Sequence, residues 1–272
     1  MRGGLAITEA LTMKTLDGKT AIVTGGGSGI GRSVALMLAA AGARVAVAGR
    51  RKEPLQQVVA EIEREKGTAV ARTCDLTKSA EARELGAWAV KTFGGVDILI
   101  NNAGAIRPGS LLTKPDADWQ VDWSLKVFGY VRLTREVFPV MQSQGGGRII
   151  NIIGSAGRQP NTAYLAGGGA NAALMNMTKA LADEGAPHRI LVNGINPGPI
   201  RTERWDMLMT RMAAERGQTP AEIEAEWMRD NPLQRPGEPQ EVAALAVFLA
   251  SARASYITGA LVQVDGGATR CI

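Results

Sequence analysis

Residues 20–31 read TAIVTGGGSGIG. The first five, Thr20–Thr24, are almost all β-branched and suit a strand buried on both faces. Glycines follow at once, and residues 29–41 (GIGRSVALMLAAA) then carry apolar side chains at helical spacing. A strand that passes through glycines straight into a helix is a shape that receives a phosphate. Gly25 allows a tight turn, Gly29 lets the backbone approach a pyrophosphate, and Gly31 lets the helix pack on the sheet. Ser28 and Ile30 complete the same turn, where the free N–H groups of the helix N-terminus face an anion. The alternative is an anonymous strand-to-helix turn. Its place after the first strand of a βαβ unit favours the dinucleotide reading.

The pattern repeats outward. Val/Ile-rich runs at Thr20–Thr24, Arg44–Ala48, Ala69–Cys74, Val96–Ile100, Arg148–Ile153, Ile190–Ile195 and Ala260–Val264 alternate with longer helical stretches. Those stretches are Gly29–Ala41, Pro54–Lys66, Ser79–Phe93, Trp119–Ser143, Ala170–Glu184 and Gln240–Ala250. Such alternation predicts an α/β, doubly wound parallel sheet of about seven strands with helices on both faces. No linker divides the chain, so residues 16–272 are read as one dinucleotide-binding domain behind a tail at 1–15. A helical insertion at 201–235 interrupts the rhythm.

The second strand selects the cofactor. A fold of this kind that takes NAD carries an acid there for the ribose 2′-hydroxyl. This chain has Gly49-Arg50-Arg51 instead, two guanidiniums that can grip a 2′-phosphate. NADP is therefore expected in preference to NAD, unless Arg50 and Arg51 are plain surface charges.

Composition excludes other classes. The 272 residues are 45% hydrophobic and 21% charged, with a net charge of +5, which is ordinary for a globular chain. The basic residues are scattered rather than gathered in a patch, which argues against nucleic acid. Two cysteines, Cys74 and Cys271, and one histidine, His188, supply neither a metal set nor a histidine triad. No run approaches the ~18 apolar residues of a membrane span. A soluble protein of the reducing cytoplasm is expected, with no membrane partner and no signal peptide.

Further motifs join the glycine turn: Asn101-Asn102-Ala103-Gly104 after the fourth strand, Cys74-Asp75-Leu76 after the third, Asn196 to Thr202 (NPGPIRT), and Asp265-Gly266-Gly267. Together these resemble the short-chain dehydrogenase/reductase family over roughly residues 16–267. The resemblance implies hydride transfer between a nicotinamide cofactor and an alcohol or ketone carbon. It implies cofactor contacts from Asp75, Leu76, Asn102, Ala103 and Gly104, and from Pro197, Gly198, Ile200 and Thr202 in the loop over the nicotinamide. It also implies a homodimer or homotetramer formed through the helices at 119–143 and 170–184, with Val127, Phe128, Val131, Phe138, Ala172, Leu174, Met175 and Met177 as apolar contacts.

The catalytic end departs from the pattern. The family's tyrosine is followed four residues later by a lysine, whose charge brings the phenol down from its ordinary value near 10. No tyrosine of this chain has that lysine. Ser155, in Asn151 to Gly157 (NIIGSAG), takes the family's serine position; a plain loop hydroxyl is the alternative. Residues 164–174 read YLAGGGANAAL. Anchored on Tyr164, the family's lysine becomes Gly168. Counted back from Met177-Thr178-Lys179-Ala180-Leu181-Ala182, its tyrosine becomes Gly167 and its lysine Asn171, and this second register is favoured. On the preceding helix Lys126 stands at the family's asparagine position, and its neighbours Leu125, Val127 and Phe128 suggest a buried setting; a surface lysine is the alternative. Two readings of Tyr164 follow. It joins Ser155 and Lys126 in a re-wired set, or it is a loop aromatic packed on the helix.

The insertion holds Trp205, Met207, Leu208, Met209, Met212, Trp227 and Met228, a Met-rich set suited to covering an apolar alcohol or ketone. Trp119 and Trp123 are assigned to helix packing. The leading function is an NADP(H)-dependent oxidoreductase interconverting an alcohol and a ketone with a non-standard catalytic set. The alternatives are a non-catalytic NADP-binding sensor or scaffold, and a lyase, epimerase or dehalogenase-type enzyme on the same frame.

Overall fold

The computed structural model describes residues 15–104 and 106–271, so most of the expected tail lies outside the described residues. Seven strands among the described residues form one parallel sheet in the order β3-β2-β1-β4-β5-β6-β7. They are β1 (Thr20–Thr24), β2 (Arg44–Gly49), β3 (Thr68–Thr73), β4 (Ile98–Asn101), β5 (Gly147–Ile152), β6 (Ile190–Pro197) and β7 (Leu261–Val264). Helices α1 (Gly29–Ala40), α2 (Lys52–Arg64), α3 (Ser79–Phe93), α4 (Asp116–Ser143) and α5 (Leu165–Gly185) connect successive strands up to β6. Helices α6 (Glu203–Arg216), α7 (Pro220–Met228) and α8 (Pro239–Ala250) lie between β6 and β7. The doubly wound parallel sheet expected from the alternation is the one found.

Two apolar layers hold it. On one face Val34 and Leu38 of α1, with Val242 and Leu249 of α8, pack on Val23 and Ile100. On the other, Leu85 of α3 and Leu133 and Val137 of α4 pack on Ile22 and Leu99. All of these side chains are shut off from solvent, and each contributes roughly 1.5–3 kcal/mol by its burial. Strand β1 pairs with β2 on one side and β4 on the other. The chain leaves these neighbours in opposite directions, which opens a crevice at their carboxyl ends.

Three expectations change at the level of elements. Helix α5 starts at Leu165 and runs through the three glycines, although the sequence places its start at Ala170. Intrinsic propensity is overridden by packing: a side chain at 168 would lie 3.2 Å from the Ala156 carbonyl oxygen and one at 169 would lie 3.4 Å from the Trp123 ring. Second, the apolar residues of the insertion are largely spent on one another. Trp205, Met209, Ala213, Ile223 and Met228 form their own buried cluster with Leu208 and Met212 against it, while Met207 and Trp227 stay exposed. Third, Val127, Phe138, Leu174 and Met175 are buried within the chain, so they are not free for association. Phe128, read from sequence as a buried neighbour of Lys126, is 51% exposed, with the Arg132 guanidinium 5.6 Å from its ring centre. No helix among the described residues is long and apolar enough to cross a membrane.

Candidate active site

Most of the cofactor-binding residues proposed from sequence line the cleft at the carboxyl ends of β1 and β4. Gly25 has φ +63° and Gly29 φ +51°, both in the left-handed region that glycine adopts without strain. Side chains at those positions would press on Asn102 and Thr202 respectively, and one at Gly31 would overlap the Gly25 carbonyl. The N-cap Ser28 makes no side-chain capping bond, and the first turn of α1 holds no acid. The helix N-terminus is thus left with N–H groups for an anion. Arg50 and Arg51 line the same cleft with Ser28, Ile30 and Leu76.

The turn after β4 is tied to the turn after β1. Asn102 Nδ2 donates to the carbonyls of Thr24 and Gly25 at 3.0 and 3.3 Å. The Asn102 and Ala103 N–H groups both donate to Thr24 Oγ1, at 2.9 and 3.0 Å. Behind them a buried polar chain runs across the sheet. Asn101 Nδ2 donates to Asn151 Oδ1 and Thr134 Oγ1, Asn151 Nδ2 donates to Thr178 Oγ1, and Thr178 donates to the Leu174 carbonyl. This chain sets α4 and α5 against the sheet; the sequence reading missed it, because its members lie on four different elements.

Two of the assigned positions, Asp75 and Ile200, are not among the residues that line the cleft. Asp75 turns into its own loop, where Oδ1 accepts from Thr77 N at 3.0 Å and Thr77 Oγ1 at 2.8 Å, while Cys74 and Leu76 line the cleft. Burial opposes its ionisation, but the Thr77 hydrogen bonds and the Arg50 charge outweigh it and hold its carboxyl below the usual value. Ile200 is buried in the core beside Gly237. Thr202 caps α6, accepting from Trp205 N at 3.4 Å, and also faces the cleft.

At the other end, Lys126, Ser155, Tyr164, Asn171, Pro197 and Gly198 line one cavity with Gly104 and Gly154. Lys126 is buried, as its apolar neighbours suggest, and its Nζ donates to the Ile153 carbonyl at 2.5 Å. Glycine makes the room: a side chain at 104 would strike the Lys126 stem, and one at 154 would strike the Asn171 amide. Asn171 Oδ1 is buried without a hydrogen-bond partner. Burial, reinforced by the Arg204 charge, brings the Lys126 ammonium down to about 8.

Tyr164 is the N-cap of α5. A side chain built on Gly167 would run into the Tyr164 ring. The ring therefore fills the volume that a residue at 167 would claim, one helical turn away along the chain. It packs beside Trp119, Trp123, Ile106, Ala166 and Ala170. Burial raises its phenol above the ordinary value; the charge and hydrogen bond of Arg204 pull the other way, and Asp122 adds to the rise. Trp123 Nε1 donates to the Ala166 carbonyl at 3.0 Å, consistent with its assignment to packing.

Arg204 is the residue that sequence reasoning missed. It reaches from α6 to donate to the Ile106 carbonyl at 2.6 Å, lines the cofactor cleft, and bears on both Tyr164 and Lys126. The only signal was a cation two residues after Thr202 in a segment read for its apolar side chains.

The family described as enoyl-(acyl carrier protein) reductase matches residues 25–269. The chain is 36% identical over 252 residues to the 7alpha-hydroxysteroid dehydrogenase of Escherichia coli (strain K12), covering 93% of this chain and 94% of that protein. The chain belongs to the short-chain dehydrogenase/reductase family. The L-sorbose reductase of Gluconobacter frateurii, solved with NADPH and L-sorbose, superposes with a TM-score of 0.92 at 31% identity over 96% of this chain and all of that one. A 7 alpha-hydroxysteroid dehydrogenase solved with NADH and 7-oxo glycochenodeoxycholic acid superposes with a TM-score of 0.85 at 36% identity, over 94% of this chain and 96% of that one. As a short-chain dehydrogenase/reductase the chain is an oxidoreductase. Of the positions read from sequence as departures from the family pattern, Lys126 and Asn171 line the cavity.

Proposed function

We propose that this oxidoreductase interconverts an alcohol and a ketone with NADP(H), using Lys126 as its proton-transferring group. The observation that carries the proposal is a buried lysine, with an ammonium near pH 8, on the same cavity as Ser155 and Tyr164. A group whose pKa lies near the working pH is the effective acid or base. Tyr164, raised by burial, keeps its proton at neutral pH and is suited to donating a hydrogen bond.

The glycine turn, the unblocked N-terminus of α1 and the Asn102 side-chain amide that ties the two turns together suit a dinucleotide. Arg50 and Arg51 on the cleft support a 2′-phosphate and hence NADP over NAD. When bound, the cofactor supplies hydride to the ketone carbon or accepts it from the alcohol carbon. Ser155 and Tyr164 hydroxyls hydrogen-bond the substrate oxygen, and the Lys126 ammonium delivers its proton to that oxygen or recovers it. Helices α6 and α7 cover the substrate side, with Met207 toward the cleft. The exposed Phe128 and Ala172 leave α4 and α5 a face for a homodimer or homotetramer.

Consumption of NADPH at 340 nm over a ketone panel tests the activity, with Tyr164→Phe and Lys126→Ala measured separately. Loss of about 100-fold or more in kcat is expected for Lys126→Ala, in line with removal of a general acid. Unchanged turnover in both variants overturns the assignment.

A further inference from the structure

Lys126 in the cavity and Arg204 on the adjoining cofactor cleft add more positive charge than proton transfer requires. Nearby cations are matched to acids: Arg107 to Asp118 and Asp122 at 2.7 and 3.2 Å, Lys114 to Asp122 at 2.7 Å, and Arg201 to Glu224 at 2.6 Å. Lys126 and Arg204 are not so matched. Among the described residues their side chains donate to the Ile153 and Ile106 carbonyls, and the Arg204 charge bears on the Tyr164 phenol. Lys126 is only 7% exposed, and a buried cation without a counter-charge is destabilising unless a ligand completes it. Arg204 is exposed and lines the cofactor cleft, as does Glu203; an exposed guanidinium is available to a carboxylate.

We infer that the substrate carries a carboxylate close to its reacting carbonyl, gripped by Arg204 at the mouth of the cavity above Lys126. An oxo acid, or the matching hydroxy acid, is the chemical class that fits. The planar guanidinium can meet a carboxylate through two parallel N–H bonds. Its tether to Ile106 and its approach to Tyr164 hold it at the substrate end, whereas the N-terminus of α1 and Arg50 and Arg51 stand at the other end of the cleft for phosphate. Of the Met and Trp residues on which the expectation of an apolar ligand rested, Trp205, Met209 and Met228 are buried in the insertion's own cluster, while Met207 faces the cleft.

The inference rests on the reductase reading, and the test separates the two. The probes are pyruvate, acetoacetate and levulinate, each with its methyl ester, given to the intact protein. Calorimetric binding to the protein loaded with NADP+ is measured alongside turnover with NADPH. At least one acid is expected to exceed its ester by about 10-fold or more in affinity and in kcat/KM, the scale of a charge-assisted hydrogen bond. Arg204→Gln should bring that ratio close to one, and Arg204→Lys should restore part of it. Equal or better binding of every ester overturns the inference, as does an Arg204→Gln variant that loses NADPH affinity while the acid-to-ester ratio stays. Arg204-dependent binding of the acids without any turnover upholds the carboxylate site and overturns the reductase reading.

Discussion

At the scale of single residues, the glycines at 167 and 169 make opposite demands. A methyl group at 167 collides with the Tyr164 ring, whereas one at 169 sits at ordinary contact distance from Trp123. Gly169→Ala should therefore stabilise the protein by roughly 0.5–1 kcal/mol through helix propensity. Gly167→Ala should destabilise it by roughly 1–3 kcal/mol through overpacking. Denaturant midpoints of the two variants check the pair, and equal shifts would mean that the ring does not occupy that space. Lys126 makes a second residue-scale case. Its folded pKa, about 8, lies below the ordinary lysine value of 10.5. The unfolded chain thus binds more protons than the folded one between those values, and stability rises with pH across that window. Lys126→Met should raise the melting temperature at pH 7 by roughly 2–4 °C, with the gain shrinking towards pH 10, while activity is lost. In the wild type, ketone reduction should fall as pH rises through about 8 and alcohol oxidation should rise. A reduction rate flat to pH 10 would exclude Lys126 as the acid.

At the scale of elements, the segment between β4 and α4 is held by one buried ion pair. Lys114 and Asp122 meet at 2.7 Å with side chains 1% and 4% exposed. Lys114 also donates to the Arg107 carbonyl, and the Arg107 N–H donates to Asp122. Burial opposes the Asp122 carboxylate, yet the hydrogen bonds from Lys114 and Arg107 prevail and lower its pKa. Asp122→Ala leaves an uncompensated buried ammonium and should destabilise the protein by roughly 3–5 kcal/mol. Faster hydrogen exchange in residues 106–115 should accompany it. Adding Lys114→Met should recover much of the loss, because the penalty comes from the stranded charge rather than from the absent attraction. Denaturation of the single and double variants distinguishes these outcomes.

At the scale of the whole molecule, cofactor preference is a question of linkage. A ligand that binds only the folded state raises its stability by an amount set by concentration over Kd. At equal concentrations NADPH should raise the melting temperature more than NADH, and Arg50→Ala with Arg51→Ala should erase the difference. A larger shift with NADH would reverse the NADP assignment. The likeness to solved structures spans nearly the whole chain, with one relative solved with NADPH and another with NADH. The fold alone therefore leaves this choice to the two arginines at the end of β2.

What the residues determined by themselves was the frame. Strand–helix alternation and the glycine turn specify a parallel sheet and an anion site locally, because strand burial, helix period and left-handed glycines are properties of short stretches. Ser155, Lys126 and most of the candidate cofactor residues are assigned from the family resemblance, each anchored to a neighbouring motif. Only the tertiary structure decided the rest. It showed the Tyr164 ring filling the volume at Gly167, a packing fact between side chains on successive helical turns that no spacing rule contains. It started α5 five residues earlier than propensity predicts, with the glycines at 167 and 168 leaving room for the Tyr164 ring and the Ala156 carbonyl that side chains there would meet. It brought Arg204, 78 residues beyond Lys126, to the cofactor cleft that adjoins the Lys126 cavity and, among the described residues, left both cations hydrogen-bonded to carbonyls instead of acids. Charge balance within a cavity depends on which distant elements meet there, and that is settled by the packing of α4, α5 and α6 on one sheet.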